Sequence, residues 1–496
     1  MARQRSRPPR RTPAQSEASA TAPRQIPPVK RRLLWIPRDD RSLLGIAWDR
    51  LTPPQLLVLS FGTLTVLGTL YLRFMPGLTV VGGLSWTDAA FMATSAVCVT
   101  GLVVVDPATQ FTFAGQLSLL VMFQLGGLGL LTLTSLVLLN VGQRLSLRHQ
   151  VLARTAGASE EVDLRHLLRS VVRFTFILEA IGAVLLYLAF VPKMGWGEAA
   201  WPAVFTAVAA FCNAGMSTFE TSLAGQAFSW IPLAIVMVLV VLGGLGFITL
   251  EELHVRFARG GQRIRISLHT RLVLTASVIL VVAGWIGFAF FEWNNTLDLM
   301  GDDVKVLNAL FGSITPRSSG FSTVDYTQVT EPTAFMTILL MIIGGAPGST
   351  AGGLKVTTVA LLVGLAIARL RGEEELNAWG RTVPEETVQR AVGIGVIGFT
   401  IMSIAIFAIV AIEEPFISHA RSEGAFLQYM FEVASAFSTT GLSMGVTPTL
   451  SDPGRWLIIV LMFVGRLGLT TFAAAVAFSR AGARDVRFAH EDVAVG

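Results

Sequence analysis

Four short strings in this 496-residue chain carry a glycine at a recurring place. They read SAVCVTGLVVVD, AAFCNAGMSTFE, SITPRSSGFSTVD and SAFSTTGLSMGV. Aligned, they put Gly101, Gly215, Gly320 and Gly441 in one column, spaced 114, 105 and 121 residues apart. Polar or small residues stand just before them: Val99 and Thr100, Asn213 and Ala214, Ser318 and Ser319, Thr439 and Thr440. The chemistry open to such strings is coordination. A dehydrated cation needs its water oxygens replaced, and carbonyls of a short extended loop can replace them. Glycine suits such a loop because aiming successive carbonyls inward takes dihedrals that other residues resist. A short helix that ends there also points the negative end of its dipole at the ion.

A second column follows. GGLG (Gly126–Gly129), GGLG (Gly243–Gly246), GAPG (Gly345–Gly348) and GRLG (Gly465–Gly468) begin 25, 28, 25 and 24 residues after the first column. One such string alone is a helix packing site. Two columns in register predict four tandem repeats of one architecture.

Two features break the symmetry. The third repeat inserts GGAPGSTAGGLKVTT, residues 344–358, into an apolar span. Pro347 removes a backbone donor there and interrupts the helix. Gly344, Gly345, Ala346, Pro347, Gly348, Ser349, Thr350, Gly352, Gly353 and Lys355 are candidate gate residues, in a mobile loop under the coordinating ring; the alternative is a packing kink. Arg466 is the second anomaly, because a charge inside a span is costly unless paired or wet. The expectation is that it faces the pore, repels cations and hydrogen-bonds to carbonyls of the loop. A salt bridge at a dimer interface is the alternative. For Lys355 the alternative is snorkelling to the interface. Cys98 and Cys212 each precede a column glycine by three residues and read as buried small residues rather than a redox switch. Arg317 could brace the third loop. Glu251, Glu252 and the charged stretch 371–390 are open between an inner-mouth or docking role and plain solvated surface.

The elements that must hold these strings are membrane helices. The chain is 52% hydrophobic and only 14% charged, with a mean hydropathy of +0.62. A soluble protein carries about 25% charged residues. Eight stretches are expected to span, near 53–74, 113–140, 168–191, 228–250, 270–292, 333–370, 388–412 and 455–478. Between members of each pair lie half-apolar segments at 85–97, 200–212, 304–316 and 425–437, too short to cross. Of 38 Lys and Arg, 29 fall in the tail, the even loops and the C-terminus, which places both termini in the cytoplasm. The four short segments then all enter from outside. Two Cys and six scattered His offer neither a disulfide framework nor metal-ligand spacing.

The pattern resembles the Trk/Ktr/HKT superfamily of potassium transporters, over roughly residues 50 to 480. AVCVTGL, FCNAGMSTF, TPRSSGFST and SAFSTTGLS are similar to that family's filter motifs, GGAPGSTAGGLK to its gate loop and MFVGRLG to its last inner helix. Eight spans with no extra pair before them look more like the KtrB branch than TrkH. The resemblance implies an all-α membrane bundle of four helix–pore-loop–helix repeats, with eight spanning and four re-entrant helices around one pseudo-fourfold pore. The divisions are a basic, largely disordered cytoplasmic tail (1–50), repeats at 51–150, 151–260, 261–375 and 376–480, and a cytoplasmic C-terminal tail (481–496). It implies K+ held at the filter carbonyls, sodium as an activator, no organic cofactor in this chain, a homodimer, and a cytoplasmic KtrA-like RCK ring that binds ATP or ADP. Glycine at 101, where sodium-preferring plant relatives carry serine, argues for potassium. The alternative is a TrkH/HKT-like transporter with sodium permeability or proton coupling. The basic tail is expected to meet membrane lipid or a partner rather than nucleic acid. An enzyme is not expected, because the spans show no acid–base pair or activated nucleophile. A rocking carrier built on inverted repeats is disfavoured, since all four repeats run the same way.

Overall fold

A backbone in lipid must satisfy its polar groups internally, and a helix does so within one segment. The computed structural model describes residues 53–140, 164–258, 266–416 and 424–469. The two expected tails, 1–50 and 481–496, lie outside those residues. Helices follow one another as α1 (Pro53–Phe74), α2 (Trp86–Val97), α3 (Phe113–Asn140), α4 (Leu164–Met194), α5 (Ala200–Cys212), α6 (Trp230–Gly244) and α7 (Phe247–Ala258). Then come α8 (Leu268–Glu292), α9 (Asp302–Ile314), α10 (Glu331–Ile342), α11 (Val356–Leu370), α12 (Glu385–Glu413), α13 (Ala425–Phe437) and α14 (Asp452–Leu467). Between α11 and α12 a small antiparallel hairpin pairs β1 (Asn377–Ala378) with β2 (Arg381–Thr382), Asn377 opposite Thr382.

Helix length sorts these elements. Among the described residues α1, α4, α8 and α12 are long and apolar enough to cross a membrane, and α6 with α7, bent by 104°, makes a fifth candidate. The helices α2, α5, α9 and α13 have 12, 13, 13 and 13 residues. At 1.5 Å per residue they reach only about 20 Å, short of the roughly 30 Å of a hydrocarbon core. Their inner ends are buried on all sides, Ala89–Val97 in α2 and Phe205–Cys212 in α5 without a break. Ser85 caps α2, its Oγ accepting from the Asp88 amide at 3.0 Å, and Asp88 itself suits the positive end of that helix.

Packing runs in a closed series. Each short helix lies against the long helix before it, α2 on α1, α5 on α4, α9 on α8 and α13 on α12. The helix that follows each short one packs on the next short helix along: α3 on α5, α6 on α9, α10 on α13, and α14 back on α2.

These following helices are not alike. α3 runs through Gly126–Gly129 unbroken. α10 stops at Ile342, and residues 343–355 form the loop before α11. The sequence placed an interruption in the third repeat alone. The structure also turns the chain in the second repeat at Gly246 (φ +78) and ends α14 before Gly468 (φ +80). Gly348 of the third repeat, in the same column, has φ +70. At Gly246 the reason is steric: a methyl group there would stand 2.7 Å from the Pro347 carbonyl oxygen. The turn makes room for the loop. The expected eighth span, 455–478, is described only as far as 469.

Candidate functional site

All four short helices end in the same backbone geometry. Val99, Asn213, Ser318 and Thr439 lie in the left-handed region at φ 54, 59, 66 and 48. Two residues later the column glycines have φ 94, 66, 78 and 92. A non-glycine residue held so costs about 1–3 kcal/mol and persists only where its surroundings enforce it. Here they do. Thr100 N donates to Ser95 O at 2.8 Å, Ala214 N to Ala209 O at 2.7 Å and Thr440 N to Ser435 O at 2.9 Å. The third string, one residue longer and carrying Pro316 and Arg317, uses Ser319 N to Thr315 O at 3.0 Å. Two serines brace the glycines directly: Gly101 N donates to Ser95 Oγ at 3.1 Å and Gly441 N to Ser435 Oγ at 3.0 Å. Each serine precedes its glycine by six residues, so the alignment contained that signal.

The four glycines close a ring. A methyl group on Gly101 would meet the Ala214 carbonyl oxygen and stand 3.0 Å from Gly215 Cα. One on Gly215 would stand 2.9 Å from Ser319 O and 3.0 Å from Gly320 Cα. One on Gly320 would meet Thr440 O and lie 3.2 Å from Gly441 Cα. One on Gly441 would meet Thr100 O and lie 2.9 Å from Gly101 Cα. Each repeat also contributes a buried side-chain oxygen with no hydrogen-bond partner: Thr100 Oγ1, Asn213 Oδ1, Ser319 Oγ and Thr439 Oγ1. Buried polar atoms are ordinarily paired. Two of them stand one residue before a column glycine (Thr100, Ser319) and two stand two before (Asn213, Thr439).

The second column holds this ring in place. Methyl groups on Gly126, Gly243 and Gly465 would strike the carbonyl oxygens of Val97, Phe211 and Phe437, each four residues before a column glycine. Glycine lets the following helix approach the end of the short one. In the third repeat the approach is replaced by the loop.

That loop crosses from the second repeat to the fourth. Ala346 N donates to Gly244 O at 2.9 Å, Thr350 N to Gly243 O at 3.3 Å, and Phe247 N to Gly348 O at 3.1 Å. On the other side a methyl group on Gly353 would stand 3.1 Å from Ser438 Cβ. Gly344 and Gly345 close the loop's base, Gly344 N donating to Leu354 O at 2.9 Å and Val356 N to Gly345 O at 3.0 Å. Pro347 and Gly348 face Gly246 and Phe247, Ser349 Oγ accepts from Ala351 N at 3.3 Å, and Gly352 lies against Ser438 and Thr439. Thr350 is the node: its Oγ1 accepts from Asn213 Nδ2 at 2.9 Å and donates to Gly243 O at 3.1 Å.

Arg466 is 1% exposed. Its Nη1 donates to Thr350 O and its Nη2 to Gly126 O at 3.1 Å, so one side chain ties the fourth repeat to the loop and to α3. Lys355 Nζ donates to Ala351 O at 2.5 Å within the loop. No salt bridge of Arg466 occurs among the described residues.

Other singled-out residues separate from this centre. Cys98 and Cys212 are both buried and free. Cys212 Sγ lies 3.3 Å from Gln124 Oε1 and 3.6 Å from Glu179 Oε1, and Gln124 Nε2 donates to Glu179 at 3.0 Å. Glu179, a buried acid in α4, was missed by the sequence reading although an acid inside a span is itself a signal. Arg317 Nη2 donates to Ser277 Oγ of α8 at 3.0 Å, the partner that the sequence left unnamed. Glu252 accepts from Ser267 N at 2.5 Å and from Thr270 Oγ1 at 2.5 Å, at the start of α8, while Glu251 is exposed.

Known proteins share this arrangement of sequence. A family model described as TrkH, cation transport protein, matches residues 52–481. The Ktr system potassium uptake protein B of Vibrio alginolyticus is 38% identical over 430 residues, covering 86% of this chain and 91% of that protein. The protein of the same name from Bacillus subtilis (strain 168) is 33% identical over 454 residues, 91% of this chain and 98% of its own. The potassium/sodium uptake protein NtpJ of Enterococcus hirae is 33% identical, covering 90% of this chain and 98% of its own. In fold, the crystal structure of the potassium transporter TrkH from Vibrio parahaemolyticus matches with a TM-score of 0.68 at 18% identity, over 86% of each chain.

Proposed function

This chain belongs to the TrkH family of cation transport proteins, on its KtrB-like side, and from that premise we propose that it is the potassium-translocating membrane subunit of a Ktr-type uptake system. It is an all-helical, multi-pass membrane transporter and not an enzyme. The finer reading is one pseudo-fourfold pore made of the repeats 51–150, 151–260, 261–375 and 376–480. Carbonyls of Val99–Gly101, Asn213–Gly215, Ser318–Gly320 and Thr439–Gly441 strip and hold the ion. The 344–358 loop with Lys355 and Arg466 obstructs the path below.

The observation that carries this reading is the closed ring of glycines, in which each Cα faces the carbonyl before the next glycine. Fixed carbonyls replace hydration water without reorganising as the ion enters. Each short helix adds its negative dipole end. Arg466 places a fixed positive charge under the ring, which opposes a cation until the loop moves.

The names of relatives in Ktr systems and in potassium/sodium uptake support a partner subunit and a part for sodium, and the resemblance to Ktr systems suggests the detail of three further parts. The subunit works as a homodimer, docks a KtrA-like cytoplasmic RCK ring that binds ATP or ADP, and responds to sodium. Both termini are cytoplasmic, from the distribution of Lys and Arg. Potassium, rubidium and sodium flux into liposomes holding the purified chain tests the core of it. The chain should pass potassium ahead of sodium, and Gly101→Ser should lose that preference. A potassium-to-sodium ratio untouched by Gly101→Ser would overturn the filter assignment. Sodium flux equal to that of potassium in the unaltered chain would favour the sodium-permeable reading instead.

A further inference from the structure

A second cavity, of about 420 Å3, lies away from the ring, between α8, α11 and the β1–β2 hairpin. Its shaft is apolar, with Ala276 and Ile279 of α8 facing Ala360 and Val363 of α11. One end reaches Ile343 and Val356. Those residues flank the 344–355 loop at its two roots, and Ile343 forms a parallel bridge with Leu354. The other end opens at Arg371, Glu373, Asn377 and Trp379.

The mouth has a chemistry of its own. Neither the Arg371 guanidinium nor the Glu373 carboxylate has a side-chain partner among the described residues, and they do not pair with each other. Trp379 forms, with Gly380, the two-residue turn of the hairpin, at φ 49 and 70. That is a turn with both central residues left-handed, normally Asn-Gly or Asp-Gly. A bulky side chain held there is an outlier that asks for a reason. Its indole, 49% exposed, stands at the rim of the cavity. Tryptophan gathers where hydrocarbon meets headgroups, since its ring is apolar and its N–H is polar.

The dimensions match one leaflet. From Val356 to Leu370, α11 has 15 residues. They rise about 22 Å, close to half of the roughly 40–45 Å that a bilayer spans with its headgroup regions. The shaft thus runs from the interface to the level of the loop.

We propose that this cavity binds one zwitterionic phospholipid of the phosphatidylethanolamine class. An acyl chain fills the shaft and ends against Ile343 and Val356. The phosphate lies on Arg371 and the ammonium on Glu373. One unpaired cation and one unpaired anion at the same rim complement a headgroup that carries both signs; an anionic headgroup would satisfy Arg371 and be repelled by Glu373. The bound chain props the two roots of the loop, so its occupancy biases the loop's position. That last effect rests on the gate reading above; the binding does not.

The experiment reconstitutes the full chain with phosphatidylethanolamine carrying a photoactivatable acyl chain, and maps labelled peptides by mass spectrometry. Labelling is expected on α8 and α11 residues of the shaft. Ala360→Trp, which fills the shaft, should abolish it. Arg371→Glu, at an exposed position that leaves the fold intact, should weaken it strongly. Labelling that survives both substitutions overturns the proposal. So does equal labelling by a phosphatidylglycerol probe, which would mean that only the tails are read. A disulfide between two copies of Val363→Cys would overturn it as well, by showing that a second copy covers the groove. Ion flux is read on the same vesicles: labelling that responds while flux does not keeps the lipid site and sinks its effect on the loop.

Discussion

The ring of glycines and the layer beneath it are built from the same four repeats, yet they obey opposite rules. In the ring the repeats agree: left-handed residues two before each glycine, and each glycine against the next loop's carbonyl. In the layer beneath they disagree. One helix runs on unbroken, one bends by 104°, one gives way to a loop, and one carries Arg466 and stops before Gly468. Coordination of a spherical ion asks for equivalent donors. Control of a passage asks for a part that moves and a part that holds it, and equivalence would prevent both.

Substitutions can break this contrast. The largest effect is expected in the ring. Gly320→Ala puts a methyl group against Thr440 O and 2.9 Å from Gly215 Cα, at φ +78. Potassium flux in liposomes should be lost altogether, and an unchanged rate would remove the ring from the pathway. Next comes the second column, where position decides the cost. Gly465→Ala strikes the Phe437 carbonyl, so thermal unfolding in detergent should show a loss of about 1–3 kcal/mol. Gly129→Ala meets nothing nearer than Phe61 at 3.8 Å, and within a helix it should gain about 0.5–1 kcal/mol. Equal responses would refute the claim that the first glycine of the string serves close approach while the fourth, in the unbroken α3, is plain helix.

Smaller effects sharpen the lower layer. Arg466→Ala removes the bonds to Thr350 O and Gly126 O, and flux should rise as the loop is released. Thr350→Val keeps the arginine but takes away the hydroxyl that joins Asn213 and Gly243, at about 1 kcal/mol for each bond. Flux should rise less than in Arg466→Ala; a reversed order would make the threonine, not the arginine, the fastening. The smallest change is expected from Ser95→Ala or Ser435→Ala, each about 1 kcal/mol or less, because the second repeat already has Ala209 at that place and still forms its loop. Its readout is the rubidium-to-potassium ratio.

Much of this was legible from residues because glycine is the one side chain that cannot be replaced where backbones touch. Gly101, Gly215, Gly320 and Gly441 marked the ring, and the stretch from Gly344 to Thr358 marked the loop. Arg466 announced itself by its charge, and among the described residues it bonds to a carbonyl of the loop and to no acid. The turn at Gly246 was not legible. The second repeat reads GGLG just as α3 does, and whether that string stays helical depends on whether Pro347 presses on it from another repeat. The Glu179–Gln124–Cys212 contact was hidden for the same cause, since its members come from three helices brought together only by packing.

One consequence follows from Arg466 being single. In an assembly of four identical chains every residue near the axis appears four times, and four guanidiniums converging there would repel one another and block the way for good. Joining the four units in one polypeptide lets a mutation act on one quarter of the circle alone. The link between units is therefore a source of evolvability: each quarter can be edited while the other three keep their geometry.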